Sequence, residues 1–264
     1  MLETISRTLG VAIVLIAIGT PVAVAVAGER YVALGDSYSS GTGTRTYFDA
    51  ACQKSIYAYP SLVDVQRPNT DLIFAACAGA RTGDVLSSQI LSLTADTRWV
   101  TITVGGNDAG FSSVIAECAQ PSWFSNCNGA IDSAQSYIRN TLPGQLDHVY
   151  ATIRTRSPTA TVIVLSYPRL FAGVDCNAAT FLSADEMSRL NQTADLLRDT
   201  TRARVTAAGA NFRFGDALGP FVGHAVCSSS AWLNGLSNPI GDSYHPNRSG
   251  HADGYAPLVR SLMG

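Results

Sequence analysis

Five short apolar runs punctuate the chain, and most of them end in small or polar turn residues. The first, Arg30-Tyr-Val-Ala-Leu-Gly35, stops in Gly, Asp and Ser. Asp71-Leu-Ile-Phe-Ala75, Trp99-Val-Thr-Ile-Thr-Val104, Ala160-Thr-Val-Ile-Val-Leu-Ser166 and the weaker Asn211-Phe-Arg-Phe214 follow. Runs of this length, β-branched and with little polar alternation, read as strands buried on both faces. Between them the pattern turns helical. Helices are expected near Ser55 to Val65 and Thr82 to Leu93. A longer one runs from about Ile131 to Thr155, interrupted at Pro143-Gly144, and others cover 183–208 and about Ser249 to Leu262. The 183–208 helix is the best marked. Ser183 as N-cap and Glu186 three residues on make a capping box, and Met187, Leu190, Ala194 and Leu197 keep one apolar face. The stretches Gln120 to Gly129 and Val222 to Gly241 read as irregular surface segments.

Strands alternating with helices imply right-handed crossovers and a sheet covered on both sides. The expected fold is a single α/β domain, a flavodoxin-like three-layer sandwich around a mostly parallel five-stranded sheet. No repeat, low-complexity tract or long linker divides it.

One apolar stretch does not fit that domain. Arg7 precedes a nearly continuous run from Leu9 to Ala27, which ends in Ala25-Val26-Ala27, the small-x-small pattern of a signal-peptidase site. Residues 1–27 are therefore read as a cleaved signal peptide and 28–264 as the mature domain. The rival is an uncleaved anchor, since the run approaches spanning length, but Pro21 and the cleavage-like triplet oppose it. All six cysteines, Cys52, Cys77, Cys118, Cys127, Cys176 and Cys227, lie beyond the leader. An even number after an export signal implies disulfides in an oxidising, extracellular setting. Spacing alone does not choose among their connectivities, of which the sequential one is the most local. There is no Cys-x-x-Cys and no Cys-His finger spacing, so a metal site is not expected. A net charge of −2 with scattered basic residues offers no surface for nucleic acid.

In open α/β sheets, ligands gather at the carboxyl ends of the strands. Strand one ends in Gly35-Asp36-Ser37, the segment after strand two reaches Gly79, and strand three ends in Gly105-Gly106-Asn107-Asp108. Near the C-terminus, Asp242-Ser-Tyr-His245-Pro246 supplies an acid and an imidazole. A serine hydroxyl needs such a base to become a nucleophile. A carbonyl under attack needs fixed donors for its oxyanion, which the N–H groups of Ser37 and Gly79 and the Asn107 amide would provide. No Gly-x-Ser-x-Gly elbow, His-Glu-x-x-His or phosphate-binding loop occurs, and no cofactor is indicated. Asp36 and Asp108 are read as loop-holding acceptors, and His148, His224 and His251 as surface or packing residues.

With these four blocks in order, the chain resembles the GDSL, or SGNH, hydrolase superfamily. The resemblance rests on Ser37 in Gly-Asp-Ser-Tyr, Gly79, Asn107 in Gly-Gly-Asn-Asp and His245 in Asp-x-x-His-Pro. It extends over essentially the whole mature chain, with Tyr38 standing where the family name has Leu. The six cysteines and the run Ala-Cys-Ala-Gly-Ala-Arg-Thr resemble a secreted bacterial branch of lipases, esterases and phospholipase A-like enzymes. That resemblance implies three sequential disulfides: Cys52–Cys77, Cys118–Cys127 and Cys176–Cys227. It also implies Ser37 as nucleophile, His245 as base and then acid, and Asp242 orienting the imidazole, a task a backbone carbonyl performs in some members. The expected protein is a secreted, monomeric serine ester hydrolase acting on acyl esters or lipids, with no membrane insertion after loss of the leader. A carbohydrate O-deacetylase, an acyltransferase and a catalytically silent binding module are the alternatives on the same fold.

Overall fold

The structure is a computed structural model that describes residues 28–264. The leader expected over 1–27 lies outside the described residues. Strands β1 (Glu29–Gly35), β2 (Thr70–Phe74), β3 (Trp99–Thr103), β4 (Thr161–Leu165) and β5 (Phe212–Gly215) form one sheet in the order β2-β1-β3-β4-β5, with every neighbouring pair parallel. This is the flavodoxin-like order. Each boundary falls within one or two residues of the apolar runs in the sequence.

The absence of polar alternation in the strands has its cause in the layers above and below. Tyr31, Ala33, Trp99, Ile163 and Leu165 face one side, where helices α2 (Tyr59–Gln66) and α8 (Ala256–Met263) pack. Val32, Leu34, Val100, Ile102, Val162 and Val164 face the other, against α3 (Thr82–Ser87), α6 (Leu142–Arg156) and α7 (Ala184–Ala208). Each such Val, Leu or Ile side chain contributes roughly 1.5–3 kcal/mol when fully buried.

The helices follow their signals with informative departures. Helix α7 begins at Ser183, whose hydroxyl accepts from the Glu186 N–H while the Glu186 carboxylate returns to the Ser183 N–H. The expected 131–155 helix is two helices, α5 (Cys127–Asn140) and α6, parted at Thr141 rather than at Pro143-Gly144. Pro143 sits in the first turn of α6, where its missing N–H costs nothing, so the chain breaks just before it. Part of the expected 120–129 loop is thereby helix, since α5 starts at Cys127. The 82–93 helix tightens into a 3₁₀ turn at Gln89–Ser92, and the C-terminal helix opens with a π-helical turn at Gly250–Tyr255. Two helices were not expected: α1 (Ser37–Ser40) and α4 (Phe111–Cys118). Both follow directly on strand-end turns and are too short to build a period.

The cysteines pair as Cys52–Cys77, Cys118–Cys127 and Cys176–Cys227. Cys52–Cys77 and Cys176–Cys227 join loops, whereas Cys118–Cys127 ties the buried end of α4 to the start of α5. Among the described residues no helix is long and apolar enough to cross a membrane.

Candidate active site

Strand β1 delivers Ser37. Gly35 ends the strand at φ +121°, and a Cβ there would lie 2.4 Å from the Thr103 carbonyl oxygen. Only glycine lets the chain turn so close to β3. Asp36 then caps α1 by accepting the Tyr38 N–H at 3.0 Å, and it also accepts the hydroxyls of Thr103 (2.7 Å) and Tyr167. Tyr167 follows β4 and accepts the Gly106 N–H at 3.3 Å. The ends of β1, β3 and β4 are thus joined through one buried carboxylate. Burial pushes the Asp36 carboxyl up to about 6, against the three donors that favour its ionised form.

His245 arrives from the far end of the chain. Its carbonyl accepts the Asn234 N–H at 2.9 Å, the Tyr244 N–H donates to the Asn234 carbonyl at 3.0 Å, and the Tyr38 hydroxyl donates to the Tyr244 carbonyl at 2.7 Å. Gly43 (φ +93°) allows the loop after α1 to lie against this segment, since a Cβ there would meet the His245 Cβ at 2.9 Å. Held in this way, His245 Nε2 lies 2.8 Å from Ser37 Oγ. Its Nδ1 lies 2.8 Å from the Ser243 carbonyl oxygen. A carbonyl only accepts, so Nδ1 carries the proton and Nε2 presents its lone pair to the serine hydroxyl. Burial holds the imidazole down at about 4, which keeps it neutral at pH 7.

Asp242 does not occupy the position expected of it. The carboxylate is 1% exposed, its Oδ1 accepts the Tyr47 hydroxyl at 2.6 Å, and Oδ2 stands 3.8 Å from Arg45 Nε. Asp242 closes a 3₁₀ turn (Ile240–Asp242) that points its side chain toward the 45–47 loop, while the next residue offers its carbonyl to the imidazole. The Nδ1 hydrogen of His245 thus meets the Ser243 carbonyl and not the Asp242 carboxylate.

On the opposite side, the Asn107 amide donates to the Ala80 carbonyl at 3.0 Å, so the turns after β2 and β3 meet. Asn107 lines the same cavity as Ser37 and His245. Gly79 is exposed on a turn secured by the Cys52–Cys77 bond and by the Ala78 N–H donating to the Cys52 carbonyl at 3.0 Å. Among the described residues, neither the Ser37 nor the Gly79 N–H donates to a protein acceptor. Asp108 accepts both the N–H and the hydroxyl of Thr82, holding the same two turns together.

Residues 33–252 match the model of the GDSL-like lipase/acylhydrolase family. The chain belongs to that family. It is 43% identical over 234 residues to a lipase of Streptomyces rimosus, covering 88% of this chain and 85% of that one. The crystal structure of an extracellular lipase from the same organism superposes with a TM-score of 0.82 at 41% identity, over 89% of this chain and 99% of that one. A phospholipase A1 from Streptomyces albidoflavus gives 0.83 at 39% identity, with the same coverage. As a GDSL-like acylhydrolase, the chain is a carboxylic ester hydrolase.

The Ser37–His245 pair of this GDSL-like chain opens into a cavity of about 460 Å³, within the range of small-molecule sites. Phe111 and Ile115 of α4, Leu170, Ala194 and Leu197 of α7, Leu236 and Ile240 form an apolar wall, and Asp36 is the only carboxylate among the lining residues. Two parts of the site lie outside the sequence reading, Tyr167 and the α4 wall, and the backbone carbonyl that the resemblance offered as the alternative to Asp242 is that of Ser243. Tyr167 stands one residue beyond the fourth apolar run, so the strand-end argument would have reached it. A backbone acceptor leaves no trace in side-chain identity, and α4 hides in eight residues. The three other histidines take the packing or surface roles expected. His251 is fully buried and accepts the Tyr59 N–H at 3.2 Å, His224 stacks on Trp232 with ring centroids 3.6 Å apart, and His148 is exposed.

Proposed function

We propose that this hydrolase cleaves the acyl esters of lipids through an acyl-enzyme on Ser37. The Ser37 hydroxyl proton passes to His245 Nε2 as Oγ bonds to the ester carbonyl carbon. The negative charge that builds on the carbonyl oxygen meets the N–H groups of Ser37 and Gly79 and the Asn107 amide. Each such donor is typically worth about 3–4 kcal/mol at the transition state. The imidazolium, steadied by the Ser243 carbonyl, gives its proton to the departing alkoxide. Water then repeats the sequence and releases the fatty acid.

The observation that carries the reading is the 2.8 Å contact between Ser37 and His245 at the opening of an apolar cavity. An acyl chain suits that wall; a sugar acetate would leave it unfilled. The lipase and phospholipase names of the relatives support the same class of substrate. Residues 1–27 act as an export signal, and 28–264 work as a secreted monomeric domain. Three disulfides with no free cysteine among the described residues, and the extracellular description of the Streptomyces rimosus lipase, support this.

A panel of p-nitrophenyl esters of increasing acyl length, run beside phosphatidylcholine and acetylated xylan, tests the proposal. If the cavity takes the acyl chain, each added methylene contributes about 0.8 kcal/mol, or about fourfold in kcat/KM, until the cavity is full. Ser37→Ala should abolish turnover on every ester without shifting the melting temperature. A preference for acetyl esters, with activity on xylan and none on longer chains, would make the enzyme a deacetylase. Wild-type turnover in the Ser37→Ala protein would remove Ser37 from the chemistry.

A further inference from the structure

Large apolar side chains stand in solvent around the mouth of the Ser37 cavity. Trp123 is 75% exposed, Phe124 76%, Ile240 76%, Phe181 55% and Leu236 36%. They form one ring. Leu236 and Ile240 line the cavity itself, and Thr180 belongs both to the cavity wall and to an adjoining depression that takes in Trp123 and Phe181. The rings of Trp123 and Phe124 are 6.3 Å apart. The Leu236 N–H donates to Asn177 Oδ1 at 3.1 Å, which ties two of the contributing loops together.

Scattered apolar residues on a surface need no explanation, whereas a contiguous cluster marks an interaction site. Charge identifies the partner. The contributing stretches 119–126, 176–181 and 234–241 contain no Lys, Arg, Asp or Glu; the charges that adjoin them are Asp175 and Glu186 in the depression and Arg45, which donates to Ser237 Oγ at 3.2 Å. With two carboxylates against one guanidinium beside it, such a ring offers no net attraction to a polyanion or an anionic membrane. The tip that carries the aromatics is also braced from within. The N–H groups of Phe124 and Ser125 donate to the Pro121 carbonyl at 2.8 and 3.1 Å, the Asn126 N–H donates to Glu117 Oε1 at 2.6 Å, and Cys118–Cys127 closes the base. A turn braced in this way meets an apolar phase without first having to order itself. Trp and Phe suit the boundary between headgroups and acyl chains.

We propose that this ring docks the enzyme onto an electrically neutral lipid surface, so that an acyl chain slides from the lipid phase into the cavity without crossing water. The inference rests on the ester-hydrolase reading of the cavity. Its test separates binding from turnover: co-sedimentation of the Ser37→Ala protein with phosphatidylcholine vesicles, with and without Trp123→Ser and Phe124→Ser. The double change in the rim is expected to weaken vesicle binding at least about tenfold. In the active enzyme it should lower hydrolysis of vesicle lipid to match, while kcat/KM on a soluble short-chain ester stays within about twofold. Undiminished vesicle binding in the double variant would overturn the inference. So would an equal loss on the soluble ester, which would place the two aromatics in the fold or the site. Self-association abolished by the same changes, with vesicle binding intact, would assign the ring to a second copy of the chain and overturn it too. Docking that depends on the ring in a wild-type protein that hydrolyses no ester would leave the surface assigned and the catalytic reading refuted.

Discussion

Two buried carboxylates flank the proposed dyad, and their hydrogen bonds assign them different work. Asp242 points its oxygens at Tyr47 and Arg45 rather than at His245. The change Asp242→Asn keeps an acceptor for the Tyr47 hydroxyl, so kcat is expected to fall by less than about tenfold. Loss of the acid in a true Ser-His-Asp triad costs about 10⁴, and a drop of that size in steady-state kinetics would restore Asp242 to the orienting role. Asp36 is the more consequential acid, because the ends of β1, β3 and β4 all converge on it. Burial raises its carboxyl to about 6, and the Tyr167 hydroxyl is foremost among the donors that hold it from rising further. In Tyr167→Phe that donor is lost and the Asp36 carboxyl rises above its wild-type value. Protonated Asp36 no longer accepts all of its donors, and the strand ends loosen. The acid limb of the kcat profile should therefore move to higher pH, with the rate recovering in alkaline buffer. An unmoved limb would show that Tyr167 merely fills space.

At the scale of elements, the core is built by the sheet and the site by its loops, which is why the cross-links lie where they do. Cys52–Cys77 secures the Gly79 turn, Cys118–Cys127 closes the aromatic tip, and Cys176–Cys227 anchors the loop beside the cavity. In the chain-entropy account, a longer closed loop restrains the unfolded chain more. The separations of 9 and 51 residues then correspond to about 2.6 and about 4 kcal/mol. Replacing Cys176 and Cys227 by alanine should lower the midpoint of chemical denaturation more than replacing Cys118 and Cys127, and the reverse order would point to native-state contacts as the larger effect. The same division governs what the sequence discloses. Strands buried on both faces leave continuous apolar runs, and α7 carries a complete capping box, so the parallel sheet and its two covering layers follow from pattern. Ser37, Asn107 and His245 are legible because each sits at a strand end or in a short block of distinctive composition. Helix α4 is too brief for periodicity, and the partner of His245 Nδ1 is a main-chain oxygen that any residue at position 243 would supply. The exposed Trp123 and Phe124 are visible as letters, but only the folded loop shows that they stand beside the cavity.

Across the whole molecule, the buried titratable groups set a direction for stability against pH. Burial lowers His245 to about 4 and His251 to about 3, so both are neutral in the folded protein well below the ordinary imidazole value of 6.5. The unfolded chain takes up protons at these positions first. Their contribution is complete above pH 6.5 and is lost as pH falls from there toward the folded values. Asp36 works in the opposite sense. Its folded value of about 6 exceeds the unfolded 3.8, so the contribution is present below 3.8 and lost as pH rises through 6. Between pH 6.5 and 5 each imidazole withdraws about 2 kcal/mol, and Asp36 returns somewhat less than one of them. The net effect is destabilising, although His245 stays neutral and competent as a base over the same interval. His251→Asn retains an acceptor for the Tyr59 N–H and removes one titrating group from the interior. That variant should be less stable than wild type at pH 7, because a packed ring is lost, yet its unfolding free energy should decline much less between pH 7 and 5. Urea denaturation at the two pH values measures both quantities, and an acid slope as steep as that of the wild type would mean that His251 is already protonated or already exposed in the native state.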